Sequence, residues 1–322
     1  MTALLERLGV ERPVIQAGMG GGVARHELAA AVSDAGGLGT LGTLEPGRLR
    51  EELEAARRLT GAPLAINLLL PFAGARHHEV AAGADVVVTF WGRPQRRSAR
   101  TWIHQCGSVE EARTAHAAGA DAVIAQGVEA GGHVRGTTPA LELLERVKPA
   151  LPRDFPVLLA GGVAEAADVR AALDAGAAAA VLGTRFLLSE ESHAHPAYKR
   201  AALAADDTVL TDLFGLGWPG ARHRVLANAA TSRWCTERGG VSPAVRAAQR
   251  ALSPFTRVVP ESAQRRFATA QRPGVPLLSP LSPVDDAPCG RLLEAGALYA
   301  GETVARIAAV RPAADVVAEL AH

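Results

Sequence analysis

One segment of the sequence combines two glycines with a side chain that can accept a proton. It reads AVIAQGVEAGGHVRG over residues 122–136, where an apolar stretch gives way to a loop carrying Gly131, Gly132 and His133. Glycine lets a backbone approach a flat or charged ligand closely, and histidine exchanges protons near neutral pH. The segment therefore predicts a ligand cradle with a base, His133, at its edge.

Two further glycine sites follow apolar runs later in the chain. Gly161 and Gly162 end the run PVLLAGG, and Gly183 and Thr184 follow the run AAAVL. Backbone N–H groups in such loops, beside the start of a helix, suit a dianionic phosphate. A tight turn would explain either pair alone, because glycine is the usual residue in turns. The two pairs together favour a phosphate-binding site.

Uncharged polar residues lie in or at the ends of other apolar runs. Carboxamides offer donors and acceptors without net charge, so they can bind the edge of a planar ring such as a flavin pyrimidine. A hydrogen bond to neighbouring backbone would explain each of them singly. As a group with a phosphate site, they suggest a phosphorylated planar cofactor. The carboxamides are Gln16, Asn67, Gln105 and Gln126, and Gly18 and Met19 close the first run after Gln16.

The elements that would position these residues alternate along the chain. Eight short apolar runs are separated mostly by alanine-rich segments with helical periodicity, which favours an α/β fold of the (β/α)8 TIM-barrel type. A barrel binds its ligands at the carboxyl ends of the strands, with phosphates after strands seven and eight. The rival fold, a doubly wound sheet, needs a GxGxxG after the first strand, and QAGMGGGVARHE does not fit that spacing. The predicted strands are 13–18, 38–43, 63–70, 85–90, 100–106, 121–127, 156–162 and 178–187.

The alternation of predicted strands and helices stops after the eighth predicted strand. Residues 190–285 include a proline-rich run and lack the strand–helix alternation, which indicates a smaller domain inserted after strand eight. We therefore expect residues 1–189 to form the first part of the barrel and residues 286–322 to return to it. The stretch CGRLLEAGALYAGETVARI predicts a long helix at the start of that return.

Composition argues against several classes of protein. The formal net charge is +1 and aromatic residues make up 4%, so neither nucleic acid nor an anionic membrane is an expected partner. No apolar run reaches the roughly 18 residues that span a bilayer. Cys106, Cys235 and Cys289 are widely separated, so we expect no disulfide framework and no metal site. A cytoplasmic protein is predicted, and a homodimer is left open.

Five segments of the sequence resemble the nitronate monooxygenase family, formerly called 2-nitropropane dioxygenases. They are PVIQAGMGGG, INLLLPF, IAQGVEAGGHVRG, PVLLAGGVAEAADVRAALDAGAAAAVLGTRFL and YAGETVARIAAVRPAADVVAEL. The resemblance extends from about residue 8 to the end of the chain, and EAGGH is its most specific part. It implies an FMN-binding barrel with a small inserted domain.

The resemblance also implies roles for matching positions. His133 would be the catalytic base near the flavin. Three positions depart from the common pattern of the family: Gly18 replaces a frequent proline, Gln105 a lysine of some members, and Gln126 an acid of some members. The residues implied to line FMN are Gly18, Met19, Gly20, Asn67, Gln105, Gln126, Gly131, Gly132, Gly161, Gly162, Gly183 and Thr184.

Two kinds of activity follow from the resemblance. The leading one is FMN-dependent oxidation of nitronates or nitroalkanes by dioxygen, with no nicotinamide. The alternative is an FMN-dependent, NAD(P)H-using enoyl-acyl-carrier-protein reductase or quinone reductase, which shares the same glycine segments. A binder without activity and a flavin-free barrel isomerase are rivals from other classes, and a yellow preparation would exclude the isomerase. His223 is a further candidate for the substrate pocket.

Overall fold

The computed structural model describes residues 2–97, 99–256, 259 and 261–321. The chain divides into two compact units. The first comprises Met1–Glu129, Arg135–Ser192 and Ala309–His322, and the second comprises Ala130–Val134 and His193–Ala308. The longer segment of the second unit starts at His193, close to the predicted boundary at 190. The predicted return at 286 lies inside the second unit, as does the segment that carries His133.

The described residues form eleven strands. They are β1 Val14–Gln16, β2 Gly39–Leu41, β3 Leu64–Leu69, β4 Val86–Phe90, β5 Thr101–Cys106, β6 Ala122–Gln126, β7 Gly132–His133, β8 Val157–Ala160, β9 Ala180–Leu182, β10 Thr208–Thr211 and β11 His223–Leu226.

Helices separate most of these strands, and none of the described helices has both the length and the apolar character that a bilayer crossing requires. The α-helices are α1 Ala3–Leu8, α2 His26–Asp34, α3 Pro46–Leu59, α4 Ala75–Ala81, α5 Val109–Ala117, α6 Ala140–Val147, α7 Ala166–Asp174, α8 Thr184–Leu187, α9 Pro196–Leu203, α10 Ala229–Trp234, α11 Pro243–Thr256, α12 Glu261–Ala270, α13 Leu292–Ala295 and α14 Ala313–Leu320. Two 3₁₀ turns cover Lys148–Ala150 and Glu302–Arg306.

The first unit is a parallel barrel of the predicted (β/α)8 class. Its eight strands pair in the order β1-β9-β8-β6-β5-β4-β3-β2, and a parallel bridge between Ile15 and Leu38 joins the two ends. All eight predicted strands are confirmed in place. The eighth is shorter than predicted, because the chain turns into α8 directly after Gly183, so residues 184–187 are helical rather than extended.

Side-chain alternation divides the barrel into two apolar layers. Ala65 and Ile103 belong to the interior cluster, whereas their strand neighbours Leu64 and Trp102 pack in clusters that include helix residues. Successive strand residues point to opposite faces of the sheet. Whether another residue of the same strand points to the interior or to the helices therefore follows from its sequence separation from these residues.

The outer layer contains a buried hydrogen-bonded chain of three side chains. Trp102 Nε1 donates to Thr89 Oγ1 at 2.7 Å, and Thr89 Oγ1 lies 2.8 Å from His104 Nδ1. His104 is 2% exposed, and burial lowers its pKa to about 4 from an ordinary value of 6.5, with nearby Arg135 contributing. The imidazole is therefore neutral at neutral pH, as expected for a residue enclosed between the barrel and its helices.

His104 should make the barrel sensitive to acid. Below pH 6.5 the unfolded chain takes up a proton that the folded chain resists down to about pH 4. The free energy of unfolding should therefore fall as the pH is lowered through that window, by about 2 kcal/mol from this residue between pH 7.5 and pH 5. Urea unfolding of the natural chain and of His104→Gln at both pH values measures the contribution of His104 to this loss of unfolding free energy. An equal loss in the variant and the natural chain would contradict the assignment.

Close backbone packing fixes the contact between α2 and β2. A Cβ on Gly39 would lie 1.9 Å from the Ala29 carbonyl oxygen, a contact that only movement of backbone could relieve. The Gly39→Ala variant should therefore lose about 3 kcal/mol of unfolding free energy. Gly61→Ala is the matched control, because a Cβ at Gly61 has nothing within 4 Å. Urea midpoints for the two variants measure the difference, and equal midpoints would refute the packing argument.

The second unit has an antiparallel sheet in the order β10-β11-β7. An apolar cluster that includes Phe214, Val225 and Leu278 forms its core. The long helix predicted from CGRLLEAGALYAGETVARI is wrong. Gly296 ends α13 after four residues because its backbone is extended, with φ −99° and ψ 166°. A Cβ there would lie 2.5 Å from the Leu292 carbonyl oxygen, so the position requires glycine. The chain then forms a bridge at Tyr299 and a 3₁₀ turn.

Candidate functional site

Three predicted carboxamides belong to the interior layer at the carboxyl ends of the barrel strands. Asn67 follows interior Ala65 by two residues, and Gln105 and Gln126 follow interior residues of β5 and β6 in the same way. Side chains two residues apart on a strand share a face. The three amides therefore face the inside of the barrel at the end where barrels bind ligands.

These polar groups are only partly satisfied within the protein. Asn67 is 7% exposed, and neither its carboxamide nor that of Gln105 has a hydrogen-bond partner among the described residues. Gln126 Oε1 accepts the Arg135 N–H at 3.4 Å. Thr40 follows interior Leu38 by two residues, is 1% exposed, and its Oγ1 lacks a partner in the same part of the chain. Buried polar groups normally find partners, so this set fits a bound polar ligand.

The glycines after β8 give the barrel a backbone donor site. Gly161 and Gly162 have φ angles of 102° and 73°, in the left-handed region that favours glycine. No described protein acceptor takes their N–H groups. A Cβ on Gly162 would have only Glu129 side-chain atoms near it, at 3.9 Å. Open N–H groups on a turn of this kind fit a phosphate.

Gly183 and Thr184 lie after the neighbouring strand, as predicted. Gly183 caps the short helix α8, and Thr184 is its first residue. The strands that precede the two glycine sites, β8 and β9, pair in parallel. Both sites therefore lie at the same edge of the sheet.

The predicted residues after β1 have a packing role in the structure. A Cβ on Gly18 would lie 2.3 Å from Asn67 Cβ, so glycine lets the chain pass against β3. Met19 packs against the outer apolar cluster, and a Cβ on Gly20 would lie 3.5 Å from the Thr43 carbonyl oxygen. Contact of these three residues with a cofactor stays a prediction.

Three predicted residues belong to the second unit rather than to the barrel. Gly132 and His133 form β7, which pairs antiparallel with β11. A Cβ on Gly131 would lie 2.5 Å from the Gly301 backbone nitrogen, so close packing inside this unit accounts for that glycine. Gly132 has φ 76° and nothing near its missing Cβ, so glycine is required there for its backbone conformation.

The sheet of the second unit gathers an aromatic cluster around His133. The register places His133 directly opposite His223, and Tyr299 bridges Val225 on the same strand, two residues from His223. The three rings therefore emerge on one face. The His133 ring centroid lies 5.4 Å from that of His223 and 5.5 Å from that of Tyr299. Trp218 stacks on His133 with centroids 4.3 Å apart and ring planes inclined by 29°.

His133 is the half-buried histidine of this cluster. Burial lowers its pKa well below the ordinary value of 6.5, and the neighbouring His223 adds to the shift. The imidazole is therefore neutral at neutral pH. A neutral imidazole has one nitrogen lone pair available to accept a proton.

His223 has a structural role rather than the substrate-pocket role considered from the sequence. It is 0% exposed, its Nδ1 lies 2.9 Å from the Ala221 carbonyl oxygen, and its Nε2 accepts the Phe214 N–H at 3.2 Å. Burial lowers its pKa to about 4. Both nitrogens of the neutral ring are used within the protein, so His223 supports the face that carries His133.

Sequence reasoning missed two groups of residues, one in each unit. Trp218 and Tyr299 flank His133, and the sequence signal for Trp218 was an aromatic residue among glycines in FGLGWPG. Trp91, directly after β4, has φ 60°, a conformation that is rare for a non-glycine residue. The Arg135 guanidinium lies 4.8 Å from its ring centroid and pairs with Glu111. Strained residues of this kind concentrate at functional sites.

One group of titratable side chains in the described part of the chain has the spacing of metal ligands. Ligand atoms of His26, Glu27 and Glu52 lie within 4.8 Å of one another. His26 Nδ1 is 2.6 Å from Glu52 and Nε2 is 3.2 Å from Glu27, so the imidazole already bridges both carboxylates. The group joins α2 to α3.

The barrel with its interior amides and the glycine–histidine segment agree with a match to a known family. The family model for nitronate monooxygenase matches residues 1–87 and 83–322. The chain belongs to the nitronate monooxygenase family. This confirms the family resemblance seen in the sequence, and membership makes the protein an oxidoreductase.

Proteins similar to this chain bear names of more than one kind. A Mycobacterium tuberculosis protein named (3aS,4S,5R,7aS)-5-hydroxy-7a-methyl-1-oxo-octahydro-1H-indene-4-carboxyl-CoA dehydrogenase is 34% identical over 270 residues, covering 80% of this chain and 74% of its own. A Pseudomonas aeruginosa nitronate monooxygenase is 33% identical, covering 69% and 80%. FabK from Thermotoga maritima has a solved structure that superimposes with a TM-score of 0.75 at 29% identity, covering 99% and 94%.

Proposed function

We propose that the protein is an FMN-dependent enzyme that oxidises nitronates or nitroalkanes with dioxygen. The observation that carries the proposal is the set of unsatisfied polar groups at the carboxyl end of the barrel in a chain of the nitronate monooxygenase family. In this proposal His133 is the base. Dioxygen is the co-substrate, and the location is cytoplasmic.

The residues present fit the two chemical parts of FMN. The open N–H groups of Gly161 and Gly162, together with Gly183 and Thr184, would bind the phosphate. The carboxamides that face the barrel interior would bind the polar edge of the ring, because they supply donors and acceptors without a charge. When bound, the flavin would supply the oxidation–reduction chemistry that amino-acid side chains lack.

His133 would carry the proton-transfer part of the reaction. Its neutral imidazole would accept the acidic proton from the carbon that bears the nitro group, or hydrogen-bond to a nitronate that has already lost it. Burial lowers the pKa of this imidazole well below the ordinary value of 6.5. The base form is therefore the form present at neutral pH.

A second candidate function is flavin-dependent oxidation or reduction of an acyl thioester with a nicotinamide. It corresponds to the reductase alternative considered from the sequence, and the name of the Mycobacterium tuberculosis relative, a carboxyl-CoA dehydrogenase, favours it. Reduction of the thioester would take its electrons from NAD(P)H, and oxidation would pass them to NAD(P)+; in both directions the same carboxamides and glycines would bind the flavin.

Three measurements on the purified chain separate the candidates. Visible absorption and mass spectrometry test for bound FMN; a colourless protein that takes up no FMN would overturn both proposals. Oxygen consumption with propionate 3-nitronate and nitroethane, without NADH, is the expected result of the first. Rapid anaerobic bleaching of the flavin by NADH, with no oxygen uptake on nitronates, would favour the second. Size-exclusion chromatography tests the homodimer.

A further inference from the structure

The loop between β10 and β11 holds Trp218 in a fixed position. The Trp218 N–H donates to the Gly215 carbonyl oxygen at 3.0 Å, and the Gly217 N–H donates to Ser253 Oγ at 3.2 Å. Gly217 and Gly220 have φ angles of 93° and 80°, which turn the chain sharply on both sides of the indole. Hydrogen bonds at residues 217 and 218 therefore restrain the backbone that carries the indole.

The same loop is packed against the body of the second unit. A Cβ on Gly215 would lie 2.7 Å from Gln249 Oε1, and the Gln249 side chain donates to the Leu213 carbonyl oxygen at 2.6 Å. The Leu216 N–H donates to the Leu278 carbonyl oxygen. The loop is thus part of the folded unit, and Trp218 is presented from a rigid base.

The rings around His133 leave its imidazole little freedom to rotate. Trp218 covers one face at 4.3 Å, while His223 and Tyr299 approach at 66° and 46° to its plane. Tyr299 is itself fixed, since its hydroxyl donates to the Pro280 carbonyl oxygen and its carbonyl oxygen accepts the Tyr198 hydroxyl at 2.5 Å. A rotation of His133 about its side-chain bonds would bring it into these rings.

The stacked indole lies against the imidazole in a cluster whose other titratable rings are neutral. The charged or titratable side chains that face His133 within its cluster are His223 and Tyr299, and burial keeps both neutral by lowering the pKa of His223 and raising that of Tyr299. Many catalytic histidines are oriented by a carboxylate. In this cluster, ring stacking supplies an orienting contact of a different kind.

We propose that Trp218 is a positioning residue that holds the imidazole of His133 in its reactive orientation by face-to-face stacking. The chemical consequence rests on the proposed function, in which His133 is the base. The structural statement, that Trp218 fixes the ring, does not depend on that function. Aromatic stacking with an imidazole retains much of its strength if the indole is replaced by another flat ring.

The test compares Trp218→Leu with Trp218→Phe in the full-length protein. Histidine ring signals of ¹⁵N-labelled protein are followed by NMR from pH 8 to pH 4.5, and the His133 signal is assigned from its absence in His133→Gln. We expect Trp218→Leu to move the His133 titration upward toward pH 6.5, because the ring gains access to water. Trp218→Phe should keep the natural titration.

Kinetics with nitroethane form the second readout. Trp218→Leu should lower kcat by about tenfold while KM changes less than twofold, because misorientation affects the proton transfer rather than binding. Trp218→Phe should restore kcat to within about threefold of the natural enzyme.

The outcomes keep the two proposals separate. An unchanged His133 titration in Trp218→Leu overturns the positioning role, whatever the enzyme does. A shifted titration in a protein that lacks activity on nitroalkanes and nitronates supports the positioning role and overturns the proposed function. If Trp218→Leu does not fold, Trp218→Met takes its place, because methionine fills part of the same volume without a flat ring: a His133 titration and a kcat equal to those of the natural protein contradict the proposal.

Discussion

His133→Ala should retain its FMN and lose about 100-fold or more in kcat/KM for a neutral nitroalkane. The expected size is that of general base catalysis. Flavin content should persist because His133 lies in the unit that carries β10 and β11, whereas the open glycine N–H groups belong to the barrel. Stopped-flow reduction of the bound flavin by nitroethane measures the loss directly.

A comparison of a neutral nitroalkane with a deprotonated nitronate separates proton transfer from substrate binding in this variant. Propionate 3-nitronate has already lost its acidic proton, so the same variant should be affected much less with it than with nitroethane. His116→Ala is the matched control, because His116 lies on α5 outside the barrel and packs edge-on against Phe155. Equal losses on both substrates would show that His133 binds the substrate rather than accepts its proton.

The pH profile of the natural enzyme gives an independent check. The lowered pKa of His133 means that the base form persists below pH 6.5. The value of kcat/KM for nitroethane should therefore stay level as the pH falls to 6.5 and decline only in more acidic solution. A decline that begins above pH 7 would contradict the assigned environment of His133.

Gly162→Ala should weaken FMN binding by about tenfold or more. In the proposed site its backbone N–H would donate to the phosphate, and such a bond to a charged group contributes about 1.5–3 kcal/mol. Alanine keeps this N–H but disfavours the φ of 73° that sets its direction. An added methyl group would also project from the left-handed turn into the space beside that N–H. Fluorescence titration of the flavin-free protein with FMN measures the change.

Gly119→Ala is the control for backbone strain. Gly119 has φ 86°, and a Cβ there would meet only Arg96 Cδ, at 3.8 Å. It lies between α5 and β6, at the opposite end of the strands from Gly162. Both variants therefore carry left-handed alanine, but only Gly162→Ala should lose FMN. Similar affinities for FMN in the two variants would remove the phosphate assignment.

The barrel could be predicted from the sequence because its strands are buried on both faces. Runs such as VVV and VLLA are continuously apolar, and each is followed by glycine or a polar residue, so their order and number could be predicted. The interior position of Asn67 and Gln105 then followed from strand alternation. Thr40 could have been found by the same count along β2.

The surroundings of His133 could not be predicted in the same way. Trp218 and Tyr299 reach the histidine through pairing of β7 with β11 and through the bridge at Val225, which join segments far apart in the chain. No local pattern encodes such pairing. The long helix predicted for the C-terminal segment was wrong for a related reason. Residues that favour helices are abundant there, but the helix ends at Gly296 and Tyr299 forms a bridge with Val225.

The division of the second unit into two chain segments has a consequence for biosynthesis. Residues 130–134 emerge from the ribosome well before β11, the strand on which β7 depends, has been translated. Contacts between distant segments form late, since a long loop must close first. Nascent chains that terminate before β11 would therefore contain every barrel strand but lack the strand that pairs with His133.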